Sequence, residues 1–182
     1  MVKISYMATV ALISLIWCLA RAAVAARAKR VDWKREAQLL FVYVCIVVVV
    51  RFTFFPFFEV DGKIQPLIFE AGKILPFRIN LVPFVNLLDY PNKKEILINV
   101  IGNSTMFIPL GIVWPCVYKE LDRAWKTILA GVGFSLCIEL LQLLFYDRVT
   151  DVDDLILNSF GFVAGYLLYL LARGITRKVK AK

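Results

Sequence analysis

The sequence predicts an all-α integral membrane protein with about five transmembrane helices, and three observations predict it. Of its 182 residues 60% are apolar and only 20% charged, with a mean hydropathy of +0.73. The apolar residues fall in five long blocks, at about 4–26, 38–58, 96–118, 127–146 and 154–172, each near the ~20 residues a helix needs to cross a bilayer. The Lys and Arg residues are divided unequally among the joining segments, as the positive-inside rule requires of a polytopic protein. No internal repeat or second globular domain is visible, so residues 1–182 read as a single membrane domain.

The first block has a small-residue pattern, Ala23-Val24-Ala25, that a signal peptidase could accept. Its flanks argue for a retained span: only Lys3 precedes it, whereas Arg27, Lys29, Arg30, Lys34 and Arg35 follow, the reverse of a signal peptide's charge order. Orientation comes from the short loops. Placing the segment after span one, the Lys119–Lys126 loop and the C-terminal tail on the cytoplasmic side gathers thirteen basic residues (five, three and five) against Asp32, Glu36, Glu120 and Asp122. The opposite face then has seven basic residues against nine acids. The N-terminus is therefore expected outside and the C-terminus in the cytoplasm, and the +8 net charge is mainly a matter of topology, with attraction to anionic lipid as a by-product.

Several chemistries lose ground on composition. The positive residues lie at span ends without an aromatic stacking platform or a nucleic-acid-binding motif, so no nucleic-acid partner is expected. The chain has no histidine, which removes His-based triads and histidine phosphatase chemistry. Cys18, Cys45, Cys116 and Cys137 all fall within predicted spans without metal-like spacing and read as small buried apolar residues. No metal and no cofactor is expected.

Between the last two blocks lies the run Asp147-Arg148-Val149-Thr150-Asp151-Val152-Asp153-Asp154, with Asn158 beyond it and Glu139 and Gln142 upstream. Charged and amide groups cost several kcal/mol each in hydrocarbon, so their concentration at one membrane boundary points to a polar site. In the assigned topology Asn99 and Asn103 share a face in the first turns of span three. Ser135, Glu139 and Gln142 recur at spacings of four and three in the outer half of span four, placing Glu139 roughly 10 Å below its outer end. Asn158 lies one turn below Asp154 in span five. Three spans thus bring polar groups to a similar depth near the outer leaflet. Helix-to-helix hydrogen bonding alone is the competing reading, with each contact contributing about 0.6 to 2 kcal/mol.

An aspartate before an apolar helix also caps its amide groups, and Asp151 or Asp153 could do only that. Three aspartates with Arg148 beside them exceed that requirement. Arg148 could pair with a carboxylate or present its fork to an anionic headgroup. Gly161 and Gly165 form a G-x-x-x-G step that suits close helix packing. Pro109 and Gly111 interrupt span three, where a kink or an exposed carbonyl is expected. Arg21 and Arg51, near span ends, are expected to snorkel. The outer segment 59–95 carries Pro66, Pro76, Pro83 and Pro91 among apolar clusters, which suits an interfacial or re-entrant piece lying over the bundle.

The ordered set Asn80-Leu81-Val82-Pro83-Phe84, Asn99-Val100-Ile101-Gly102-Asn103, Phe107-Ile108-Pro109-Leu110-Gly111, Glu139-Leu140-Leu141-Gln142, Arg148 through Asp154 and Asn158-Ser159-Phe160-Gly161 resembles the VanZ-like family of bacterial membrane proteins. The resemblance covers 80–172 and is specific as a set, although each motif is weak alone. It implies a bacterial cytoplasmic membrane protein associated with resistance to glycopeptide antibiotics, especially the lipid-bearing teicoplanin. Its implied setting agrees with a non-catalytic binder of a membrane lipid or lipopeptide, held by Asn80, Asn99, Asn103, Glu139, Gln142, Arg148, Asp151, Asp153, Asp154 and Asn158. The alternative is an enzyme on a lipid-linked envelope substrate, with Glu139 or an aspartate as general base and Arg148 stabilising charge. No nucleophile or catalytic motif is identified, so binding is the favoured reading. Transport is weaker still, since five spans show no repeat symmetry.

Overall fold

The computed structural model describes residues 1–56, 59–85, 92–121 and 123–180. Residues 57–58 at the end of the second apolar block, Pro91 and Asp122 lie outside the described residues. Among the described residues five helices are long and apolar enough to cross a membrane: α1 Tyr6–Ala28, α2 Trp33–Phe54, α3 Lys93–Val117, α4 Ala124–Gln142 and α5 Val152–Lys180. The chain folds into two compact units, one of Met1–Pro76 with Leu144–Arg148 and one of Phe77–Leu143 with Val149–Lys182.

The first unit is built on the α1–α2 hairpin. Ser5 caps α1 by accepting from the Ala8 N–H, and Asp32 caps α2 by accepting from the Arg35 N–H, each satisfying a free first-turn amide. Lys29 ends α1 in the left-handed region (φ 52°), the conformation that commonly terminates helices. Arg21 grips Glu36 through its Nε and one Nη, and Ser14 Oγ meets Tyr43 Oη at 2.6 Å. The paired numbers have a constant sum, which is the register of antiparallel helices. No α1 residue is buried. A short strand β1, Val2–Ile4, pairs antiparallel with β2, Leu67–Phe69, and the Tyr146 N–H donates to the Ile68 carbonyl.

The second unit packs α3, α4 and α5. Asn92 and Glu95 exchange hydrogen bonds at the start of α3, a reciprocal cap that satisfies a free amide and fixes both side chains. α3 and α5 meet through glycine. A Cβ on Gly161 would overlap the Ser104 carbonyl, one on Gly165 the Ile108 carbonyl, and one on Gly111 the Phe162 carbonyl. Gly161 and Gly165 thus step along α5 as Ser104 and Ile108 step along α3, so these helices run parallel. Small residues are what permit such close approach of backbones in a membrane. α4 runs antiparallel to α5, with Asn158 bonded to Ser135 and Phe162 against Gly131. Phe107, Leu110 and Phe162 form the buried centre, with Trp114 in edge contact with Phe134 and Phe162.

Two local expectations are corrected, those on the cysteines and on the arginines. α3 is helical from Lys93 to Val117 with Pro109 and Pro115 inside it; membrane helices tolerate proline because neighbours and local adjustment re-satisfy the backbone. Cys18, Cys116 and Cys137 are exposed and Cys45 is intermediate, because a spanning helix presents apolar residues outward to lipid as well as inward. Arg21 is tied to Glu36 instead of snorkelling alone, while Arg51 donates to the Pro56 carbonyl and lies over the Tyr6 and Phe52 rings. α5 also outlasts its apolar block, continuing to Lys180. At ~1.5 Å per residue, 29 residues span about 43 Å, more than the ~30 Å hydrocarbon core.

Candidate functional site

In the second unit α3 and α5 start, and α4 ends, at the same end of the bundle. That follows from the parallel and antiparallel registers alone. The sequence-predicted polar residues of these helices therefore meet. Asn103 Nδ2 donates to Asp154 Oδ1 and, at 3.3 Å, to Asn99 Oδ1. Asn158 Nδ2 donates to Ser135 Oγ at 3.1 Å. Glu139, 2% exposed, accepts the Asp151 N–H at Oε2 (3.0 Å), and its backbone carbonyl accepts from Thr150 Oγ1 (2.7 Å).

A second set of bonds closes the entrance to α5. Strand β3, Ile79–Asn80, pairs parallel with β4, Thr150–Asp151. Asn80 Nδ2 donates to Asp151 Oδ1 at 3.1 Å, and the same oxygen accepts the Asp153 N–H at 2.9 Å. Asp151 is thus the helix cap, satisfying a first-turn amide, and also an anchor for the proline-containing segment. Phe84 adopts φ 66°, a region that is an outlier for a bulky side chain. In that conformation its N–H donates to Asp153 Oδ1 at 2.8 Å.

Ser135, Glu139, Gln142, Asp153 and Asn158 are all buried. The network draws on three helices and the segment before α3, so no single element could assemble it. Among the described residues no cluster of three or more carboxylates and cysteines has the geometry to hold a metal ion. Its chemistry is that of hydrogen bonding to carboxylates and carboxamides.

Nine of the ten sequence-predicted residues belong to this unit, and all but Gln142 make bonds described above. Gln142 is buried at the end of α4. Arg148 belongs to the first unit, where its N–H donates to the Phe145 carbonyl. Three contributors were not among the predicted site residues. Ser135 carried a signal, since it lies in the polar stripe of α4. Thr150 stands inside the acidic run but reads as an ordinary strand former. The Phe84 N–H is a backbone donor that no side-chain pattern reveals.

These features define a polytopic helical membrane protein with a buried polar network at one end of a three-helix bundle. Comparison with known proteins gives the family. The VanZ/LLP1 family matches residues 40–173, and the chain belongs to it. The match begins well before Asn80 and takes in most of α2. The chain is also similar to Protein VanZ of Enterococcus faecium, with 34% identity over 94 residues, 52% of this chain and 53% of that protein. It thus matches about half the length of that relative. No solved structure matches.

Proposed function

We propose that this VanZ/LLP1 member is a non-catalytic binder of a membrane lipid or lipopeptide, acting from the extracytoplasmic side of a bacterial cytoplasmic membrane. The observation that carries this reading is Glu139. An ionisable side chain 2% exposed within a spanning helix is costly and usually marks function. Its carboxylate accepts the Asp151 N–H at the end of the bundle where α3, α4 and α5 each bring polar side chains. The side of the membrane is supported by the basic residues, which collect on the loops at the other end of α3, α4 and α5.

The ligand's acyl chains would lie against the exposed apolar faces of the spans while the network meets its polar part. Binding of this kind could reduce the access of a lipid-bearing glycopeptide to membrane-anchored precursors, in keeping with the family's association with resistance.

Native mass spectrometry of the purified full chain tests the reading. A retained lipid whose mass is unchanged on prolonged incubation is the expected result. Absence of any retained lipid, or its conversion to a product, contradicts a non-catalytic lipid binder. For resistance, cells expressing the chain should tolerate more teicoplanin than vector controls, and Glu139→Gln at matched membrane levels should lose the difference. Equal susceptibility of wild type and vector would remove that role.

A further inference from the structure

The start of α5 is crowded with acceptors. Asp151 caps the helix and Asp153 and Asp154 stand in its first turn. Successive backbone amides string three carboxyl groups together: Glu139 Oε2 takes the Asp151 N–H, and Asp151 Oδ1 takes the Asp153 N–H. Asp153 is 4% exposed, and only one of its oxygens is engaged. Oδ1 accepts from Phe84, while Oδ2 is buried with no hydrogen-bond partner among the described residues.

Asn158, further into α5 and one turn beyond Asp154, repeats the pattern. It is 1% exposed, gives Nδ2 to Ser135, and keeps a buried Oδ1 with no hydrogen-bond partner among the described residues. Leaving a buried polar atom unsatisfied costs about 1–3 kcal/mol, more for a charged group. Both open atoms are oxygens that only accept, so they call for a ligand that donates.

A helix N-terminus by itself would favour an anion. This one already has its cap and first-turn carboxylates, which complement the dipole. A phosphate placed there would meet like charge. An ammonium instead brings three N–H donors and a positive charge, and a charge-assisted bond to a carboxylate is roughly twice as strong as a neutral one. A trimethylated nitrogen, which has no N–H to give, could not satisfy Oδ2.

We infer that the start of α5 binds the primary ammonium of an amino-bearing amphiphile, with Asp153 Oδ2 as the anchoring acceptor. The inference rests on the lipid- or lipopeptide-binding reading and supplies its headgroup chemistry. Two sources share that chemistry, an aminophospholipid and a lipopeptide with a free amino terminus.

The test is native mass spectrometry of the full chain in detergent micelles. The probes are dioleoyl phosphatidylethanolamine, its N-acetyl derivative, dioleoyl phosphatidylglycerol, and a palmitoylated peptide with its amino terminus free or acetylated. At least one free-amine probe should be retained about tenfold more than its acetylated partner and than phosphatidylglycerol, and which one identifies the source. Asp153→Asn keeps an oxygen for Phe84 and removes the charge, so it should lower that retention about tenfold while the thermal midpoint stays near wild type. The acetylated comparison on wild-type protein decides the matter even if the variant does not fold. Equal retention of free, acetylated and anionic probes overturns the ammonium and leaves the lipid reading standing. No adduct with any probe overturns both.

Discussion

The two units hold their helices together in different ways. In the first, α1 and α2 join through long side chains at a few points: the Arg21–Glu36 pair, the Ser14–Tyr43 hydrogen bond and the tilted Trp17–Tyr43 rings at 5.6 Å. No residue of α1 is buried. In the second, glycines bring the α3 and α5 backbones into direct contact, and one end of the bundle encloses acids and amides. Lipid is as apolar as leucine, so membrane helices gain little from hydrophobic association alone and depend on close packing and polar contacts. A hairpin can rest on a few such contacts. An enclosed polar network needs walls that do not part.

The sharpest way to break this contrast is Gly161→Ala. The added methyl overlaps the Ser104 carbonyl, and backbone cannot yield as a side-chain tip does. A loss of about 3 kcal/mol is expected, at the upper end of overpacking costs, read as a fall in thermal midpoint in detergent. Gly174→Ala, on the same helix with open space at its Cβ, should instead stabilise by about 0.5–1 kcal/mol. Equal effects would show that close backbone contact is not what joins α3 to α5.

Glu139→Ala comes next. It removes the acceptor of the Asp151 N–H and should cost about 1–3 kcal/mol, with Glu139→Gln costing less because its oxygen can still accept. Arg21→Ala in the first unit should cost less than Glu139→Ala, because its ion pair is partly exposed and screened. The smallest change is expected for Tyr43→Phe, which deletes an interhelical hydrogen bond of a kind that averages about 0.6 kcal/mol. Unfolding followed by intrinsic fluorescence would order the three. If Arg21→Ala proved costlier than Glu139→Ala, the contrast between the units would collapse.

The sequence disclosed the features that depend on period and length. Five apolar blocks became five helices, the spacing of Asn99 and Asn103 put them on one face, and the stripe Ser135, Glu139, Gln142 is buried as its period required. G-x-x-x-G at Gly161 announced a close contact, though its partner, the Ser104 carbonyl, could be found only from the helix register. Strands of two or three residues are too short to show a period, so β3 and β4 were not visible, nor was the way they pin Asn80 to Asp151. Backbone donors such as the Phe84 N–H leave no trace in side-chain identity. The cysteines misled because an apolar residue in a span suits a lipid-facing and a buried position equally well.

The proposed lipid site lies in the enclosed network of the second unit, so the hairpin of the first should not govern retention. The direct measurement is lipid retention by native mass spectrometry for wild type, Glu139→Gln and Arg21→Ala, prepared identically. Wild type and Arg21→Ala should keep the same lipid, and Glu139→Gln should lose about nine-tenths of it. Retention unchanged in Glu139→Gln, or lost equally in Arg21→Ala, would contradict it.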